Sequence, residues 1–197
     1  GASTVDLGSA IEGDPLKDTF RKAYEYSDCR VDDSRLVVLN ACDAQARGAR
    51  VLVRTKMVSA SCENGLWVAT LEDAETGERR VVRSRVLVNA GGPWVDEIIR
   101  AGMKLEPSAG IRLVRGSHIV TRKLYDHDKC YFLQGADGRI VFTIPYQSDF
   151  TLIGTTEQDH PDPSVQPECT PAEQDYLCDF VSGYFKKDTT TTAADKM

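Results

Sequence analysis

Apolar and polar positions change period several times along this chain, and each change marks an element. In "DDSRLVVLNACDAQARGAR" the residues Leu36, Val37, Asn40, Ala41 and Ala44 share one face at helical spacing. Asp33 or Ser34 can cap that helix and Gly48 can stop it. "RVLVRT", Arg50 to Thr55, is too short for a helix and predicts a strand. A ladder of hairpins follows, with turns at Asn64-Gly65 and Thr76-Gly77, so residues 57 to 83 read as a three-stranded antiparallel meander. "RVLVNA" is nearly all apolar, as in a strand covered on both faces, which is usually a parallel one. It runs into the turn Gly91-Gly92-Pro93 and then into "WVDEIIRAG", a helix that Gly102 can end.

From residue 111 the period returns to two. "IRLVRGSHIVTR", "CYFLQ", "RIVFTIPY" and "FTLIGTT" predict an antiparallel sheet, with Asp137-Gly138 as one hairpin turn. "TPAEQDYLCDFVSGYF" is a closing helix, whose Thr170 and Glu173 match a capping box with Pro171 at the first helical position. Residues 1–15 show no period and read as loop. The threonine-rich 188–197 reads as a disordered tail.

Composition narrows the picture. With 41% apolar and 27% charged residues over 197 positions, the chain is an ordinary globular one. A formal charge of −6 and no run of Lys or Arg weigh against nucleic acid as a partner. No apolar stretch approaches the roughly 20 residues of a spanning helix, and no signal-peptide pattern opens the chain. The six cysteines form no CxxC pair and read as reduced thiols in a reducing compartment. His118, His127 and His160 lie scattered, so no metal site is expected.

Five segments then acquire a collective meaning. "YEYSDCRVDDSRL", "VNAGGPWVDEI", "GIRLVRGSHIV", "DGRIVFTIPY" and "LIGTTE", in this order, resemble the bacterial FAD-dependent, aerobic-type glycerol-3-phosphate dehydrogenases. The likeness runs from about Pro15 to Lys187. It implies an α+β and α/β architecture. Residues 16–104 would be part of a Rossmann-like FAD-binding domain with a three-stranded meander, and 105–187 part of an antiparallel-sheet substrate domain.

The resemblance also implies oxidation of sn-glycerol 3-phosphate to dihydroxyacetone phosphate, with electrons passing through FAD to a quinone. The protein would lie peripherally on the cytoplasmic face of a bacterial inner membrane. The family's N-terminal GxGxxG loop and the arginine-bearing segment after the last helix are missing from this sequence, and Gly91 stands where Ala or Thr is more usual. The expectation is therefore a central fragment that is inactive and without FAD on its own. Two rivals stay open: a flavin oxidoreductase acting on an amino acid or 2-hydroxy acid, and a non-enzymatic β-rich binding module.

Individual residues carry this reading unequally. Ala90, Gly91, Gly92 and Pro93 form a turn whose main chain can approach a flavin, because a Cβ there would stand in the gap. The competing reading is a plain strand-to-helix turn, with Trp94 packing on either side. Met57 occupies the family position whose backbone meets the adenine, while its side chain reads as core.

His118 is the candidate catalytic residue, since an imidazole titrating near neutrality can take the hydroxyl proton as hydride leaves carbon. General base and simple ligand both fit it. Arg139, after a tight turn, is the candidate for the substrate phosphate, against the reading of a solvated hairpin residue; Arg115 carries the same ambiguity. Thr155 and Thr156 either approach the flavin or satisfy backbone at a strand end. Asp32 and Asp33 read as helix caps, and His127 and His160 as surface residues.

Overall fold

The computed structural model describes residues 1–107 and 109–189. It separates into two units, Cys29–Arg112 and a second made of Gly1–Asp28 with the chain from Leu113 onward.

In the first unit, Asp32 takes extended backbone and its carboxylate accepts the Arg35 N–H at 3.1 Å, opening α1 (Asp33–Ala46). Of the residues read as caps, Asp32 is the one that takes the role. Gly48, at φ +94°, ends the helix, with the Ala49 N–H donating to the Ala44 carbonyl at 2.9 Å. The meander forms as the turns dictate: β1 (Thr55–Glu63), β2 (Leu66–Asp73) and β3 (Arg79–Ser84), paired antiparallel in that order. Asn64 and Gly65 both take positive φ, which a two-residue hairpin turn of this hand requires. A bulge interrupts β1 between Met57 and Ser59.

Two expected strands do not form. Residues 50–54 and 85–91 belong to no strand, and their apolar side chains face solvent, Val53 at 71% and Val88 at 77% exposed. A run of β-branched residues becomes a strand only when a neighbour takes up its N–H and C=O groups. Among the described residues neither run has a ladder partner; the Arg54 carbonyl accepts the Ala74 N–H at 2.8 Å, a single bond at the strand's edge. After Gly91 the chain winds through a 3₁₀ turn (Gly92–Trp94), an α turn (Val95–Glu97) and a π turn (Ile98–Gly102), a composite of the single helix expected.

In the second unit, the expected opening loop is partly strand. β4 (Ser3–Asp6) pairs with β5 (Lys22–Glu25), and Leu7 and Leu16 are buried. Residues 1–28 thus join the second half of the chain in one compact unit. Short stitches fix them, such as the Lys17 N–H on the Tyr184 carbonyl and the Lys186 N–H on the Pro15 carbonyl, both 2.9 Å.

The main sheet of this unit contains β7 (His118–Arg122), β8 (Tyr131–Gln134), β9 (Ile140–Tyr146) and β10 (Phe150–Gly154), with spatial order β7-β10-β9-β8, all antiparallel. A short pair, β6 (Val114–Arg115) with β11 (Gln158–Asp159), flanks the entry to β7 and the exit from β10. The last helix, α3 (Pro171–Tyr184), opens with the capping box the sequence announced. α2 is the brief turn at Val95–Glu97. Period two sorts the sheet's side chains: Ile119, Leu133, Val141 and Ile153 join Leu177, Cys178, Val181 and Phe185 in one core. Of the expected tail, Thr189 is buried and bonded to Ser182, and 190–197 lie outside the described residues.

Full burial at Ile153 and exposure at Val88 set a contrast that mutation can check. Ile153→Ala empties a fully buried position and should lower unfolding free energy by about 2–5 kcal/mol, whereas Val88→Ala should change it by less than about 0.5 kcal/mol. Urea midpoints at constant slope measure both.

Candidate functional site

One face of the four-stranded sheet is core; the other is open. Register decides what the open face carries, because residues directly opposite share a face. His118 stands opposite Gly154, Gly154 opposite Phe142, and Phe142 opposite Phe132. The next row holds Val120, Leu152 and Ile144. Phe132 and Phe142 meet edge to face with centroids 5.1 Å apart, and both are substantially exposed, as is Ile140. His118 therefore stands at the end of an open, apolar, aromatic surface.

Behind it the backbone is held by a buried carboxylate. Glu173, in the first turn of α3, is only 3% exposed. Its Oε1 accepts from Thr156 Oγ1 at 2.7 Å, Ser117 Oγ at 3.0 Å and an Arg115 guanidinium nitrogen at 3.1 Å. Its Oε2 accepts from the other Arg115 nitrogen at 2.9 Å and from the Thr170 N–H and hydroxyl. Burial would raise the carboxyl's pKa, but hydrogen bonds from the Thr170 backbone, Thr156, Arg115 and the Thr170 hydroxyl outweigh it and bring the pKa down to about 2.

Thr156 Oγ1 in turn accepts the Ser117 N–H at 2.9 Å, so the link into β7 and the link out of β10 are tied together one residue from His118. Gly116 allows that approach: a Cβ there would overlap Thr155 Oγ1 and stand 2.8 Å from the Thr156 carbonyl. Loss of water around the His118 ring pulls its pKa below the usual 6.5, keeping the imidazole neutral and able to accept a proton at neutral pH.

Among the other expected site residues, Thr156 proves to be the backbone-satisfying hydroxyl of its two readings. Arg115 spends its guanidinium on Glu173 and on the Glu168 carbonyl at 2.8 Å. Arg139 lies on the α3 side of the sheet, 5.2 Å over the Tyr176 ring and 3.5 Å from Asp137. Counting two strands across and three residues along puts its Cα on the order of 14 Å from that of His118. The structure does not bring the two together.

His160 is a surface residue bonded to the Val165 carbonyl. His127 is not one: it is half-buried, stacked on Tyr125 at 4.6 Å and bonded to Tyr131 at 2.7 Å. Its aromatic partners, two and four residues away, outweigh the charged neighbours that suggested exposure. The sequence also gave no functional weight to Glu173, which it showed only as half of a capping box.

In the Cys29–Arg112 unit, the two sides of the turn at residues 90–93 differ in what they offer a cofactor. Gly91 is half-buried, and its missing Cβ makes room for Ile98 and for Asn89, whose side chain accepts the Gly91 N–H at 3.2 Å. The nearer contact is the movable end of Ile98, so internal packing favours glycine there without demanding it. Gly92 differs: its φ is +54°, and a Cβ there would meet nothing within 4 Å. With Ala90 and Pro93 also exposed, the outer side of the turn is bare main chain, which fits a flat ligand arriving from solvent. The end of the Met57 side chain lies beside Gly102, and Met57 is partly buried.

Comparison with known proteins gives one consistent picture. Residues 3–195 match the family model described as FAD dependent oxidoreductase. The chain is 43% identical over 187 residues to a glycerol-3-phosphate dehydrogenase of Pseudomonas tolaasii, covering 95% of this chain and 36% of that protein. It is 42% identical over 187 residues to D-erythritol 1-phosphate dehydrogenase of Brucella abortus, covering 95% and 37%. It is also 42% identical over 172 residues to aerobic glycerol-3-phosphate dehydrogenase of Escherichia coli, covering 87% and 34%. The chain therefore spans about a third of the length of these relatives. The crystal structure of glycerol-3-phosphate dehydrogenase from Bacillus halodurans, complexed with FAD, shares the fold at a TM-score of 0.76 and 24% identity, over 98% of this chain and 40% of that one.

The carboxylate cluster makes a pH-dependent prediction. With a folded pKa near 2 against an ordinary 4.5, Glu173 contributes stability that is complete above pH 4.5 and lost as pH falls toward 2, worth about 3 kcal/mol. Glu173→Gln should flatten the fall in unfolding free energy across that window. Glu173→Ala should cost about 3–5 kcal/mol at pH 7 by leaving Arg115 unpaired. Urea unfolding at a series of pH values reads both effects.

Proposed function

The chain belongs to the FAD dependent oxidoreductase family, and we propose that it is the central part of a flavoenzyme oxidising sn-glycerol 3-phosphate to dihydroxyacetone phosphate. The observation that carries this is His118, a neutral imidazole at the end of an open sheet face, within a chain over 40% identical to glycerol-3-phosphate dehydrogenases. The exposed main chain of Ala90, Gly92 and Pro93 and the backbone of Met57 would touch the cofactor. When bound, FAD supplies the hydride acceptor.

This chain's own work is positioning and proton transfer. His118 accepts the proton of the substrate's secondary hydroxyl as the hydride departs from the same carbon, which keeps charge from building on the alcohol oxygen. The apolar wall of Phe132 and Phe142 keeps water from the reacting carbon. Ser117, Thr156 and Glu173 hold the strand ends that present the histidine. Arg139, held by Asp137 and Tyr176 on the α3 side, serves a substrate phosphate in this reading only if the hairpin that carries it is rearranged in the whole enzyme. Downstream, a quinone takes the electrons, with the enzyme resting on the cytoplasmic face of a bacterial inner membrane. No helix among the described residues is long and apolar enough to cross one. Alone, the 197-residue chain neither retains FAD nor turns over, because a few backbone contacts at one turn and at Met57 do not offset the entropy of fixing so large a ligand.

A second substrate is favoured almost equally, since D-erythritol 1-phosphate dehydrogenase is 42% identical over the same 187 residues. Stopped-flow bleaching of the flavin in the whole enzyme separates the two by kcat/KM. His118→Asn should slow bleaching by the better substrate about 10²–10⁴-fold. In the unsubstituted enzyme the rate should fall as pH drops through the lowered His118 pKa, an acid limb below 6.5. Bleaching by neither phosphate, or full speed in His118→Asn, removes the assignment.

A further inference from the structure

Glycine 154 ends β10 directly opposite His118. Its φ is not in the left-handed region, so its backbone asks for no glycine. Space does. A Cβ built on Gly154 would lie 2.5 Å from His118 Cγ and 2.6 Å from Nε2, and closer still to Cδ2. Real Cβ atoms essentially never come within 3.0 Å of another heavy atom. The imidazole therefore occupies the volume that any other residue at 154 would fill, lying across β10 on the side of Phe142, the next residue in the same register row.

The clash is not one a flexible tip can absorb. Cγ is the first ring atom, and its place is set by χ1 alone, so relief requires the whole ring to swing into another staggered well. Movement of the backbone is opposed from behind, where Thr156 Oγ1 holds the Ser117 N–H and Glu173 holds both hydroxyls.

We infer that Gly154 is a positioning residue: by lacking a side chain it seats the His118 imidazole across β10, on the open face where the substrate is handled. The inference rests on the reading of His118 as the substrate's proton acceptor, and the two can fail separately. If His118→Asn leaves turnover unchanged, the functional reading falls, while the seating of the ring is decided by its own spectra.

The experiment uses the full chain with ¹³C-labelled histidine. Its three histidines give three imidazole resonances, each assigned by substitution, with His127 and His160 as internal references. In the unsubstituted chain His118 should titrate below the ordinary value. In Gly154→Ala its midpoint should rise toward 6.5 and its chemical shifts should change as the ring swings into water, while the other two stay in place. An unchanged His118 midpoint and shift in folded Gly154→Ala overturns the inference.

A melting-temperature cycle covers the case in which Gly154→Ala folds poorly. Gly154→Ala should lower Tm in the His118 background and leave it nearly unchanged in a His118→Ala background, because the clash needs both partners. An equal drop in both backgrounds contradicts the seating role.

Discussion

A carboxylate 3% exposed must have its acceptor sites filled, and this requirement organises the second unit of the chain. Glu173 draws Arg115, Ser117 and Thr156 to itself from segments 17 to 58 residues away, along with Thr170 at the helix cap. The entrance to β7 and the exit from β10 are thereby fixed to the first turn of α3 and to each other. The reactive-looking side chain, His118, is not part of that network; it hangs from it, one residue beyond Ser117. Polar burial here fixes placement as well as adding stability above pH 4.5, its gains being set against the cost of desolvating a charged pair.

Two glycines complete the arrangement for different reasons. Gly116 lets two loops cross closer than side chains permit, and Gly154 leaves room for an aromatic ring. The glycine turn at 91–92 splits in the same way. Gly91 answers to Ile98 within the chain, and Gly92 answers to a positive φ beneath open space. Only the outer half of that turn offers bare backbone to a cofactor, a narrower basis for a flavin contact than the sequence motif suggests.

Local signals are legible in the sequence and distant ones are not. Asn64-Gly65, Asp137-Gly138 and the Thr170–Glu173 box each act over a few residues and appear where the sequence places them. The runs at 50–54 and 85–91 look like strands because β-branched residues favour extension, yet pairing depends on a neighbour that the sequence of the run does not encode. The strand within residues 1–15 is hidden for the same reason: β4 takes its partner from Lys22–Glu25, and Leu16, just beyond, bridges to Phe185. Arg115 and Glu173, 58 residues apart, announced nothing until folding brought them to 2.9 Å. The family, by contrast, was legible early, because ordered segments such as "RGSHIV" and "LIGTTE" carry information that periodicity does not.

Everything functional turns on whether the open face beside His118 is where substrate sits. A crystal structure of the whole enzyme with FAD and dihydroxyacetone phosphate addresses this directly. The expected density places the product's carbonyl oxygen within about 3.2 Å of a His118 ring nitrogen, with the imidazole still lying across Gly154. Product bound elsewhere, with the His118 ring facing bulk water, would contradict the assignment.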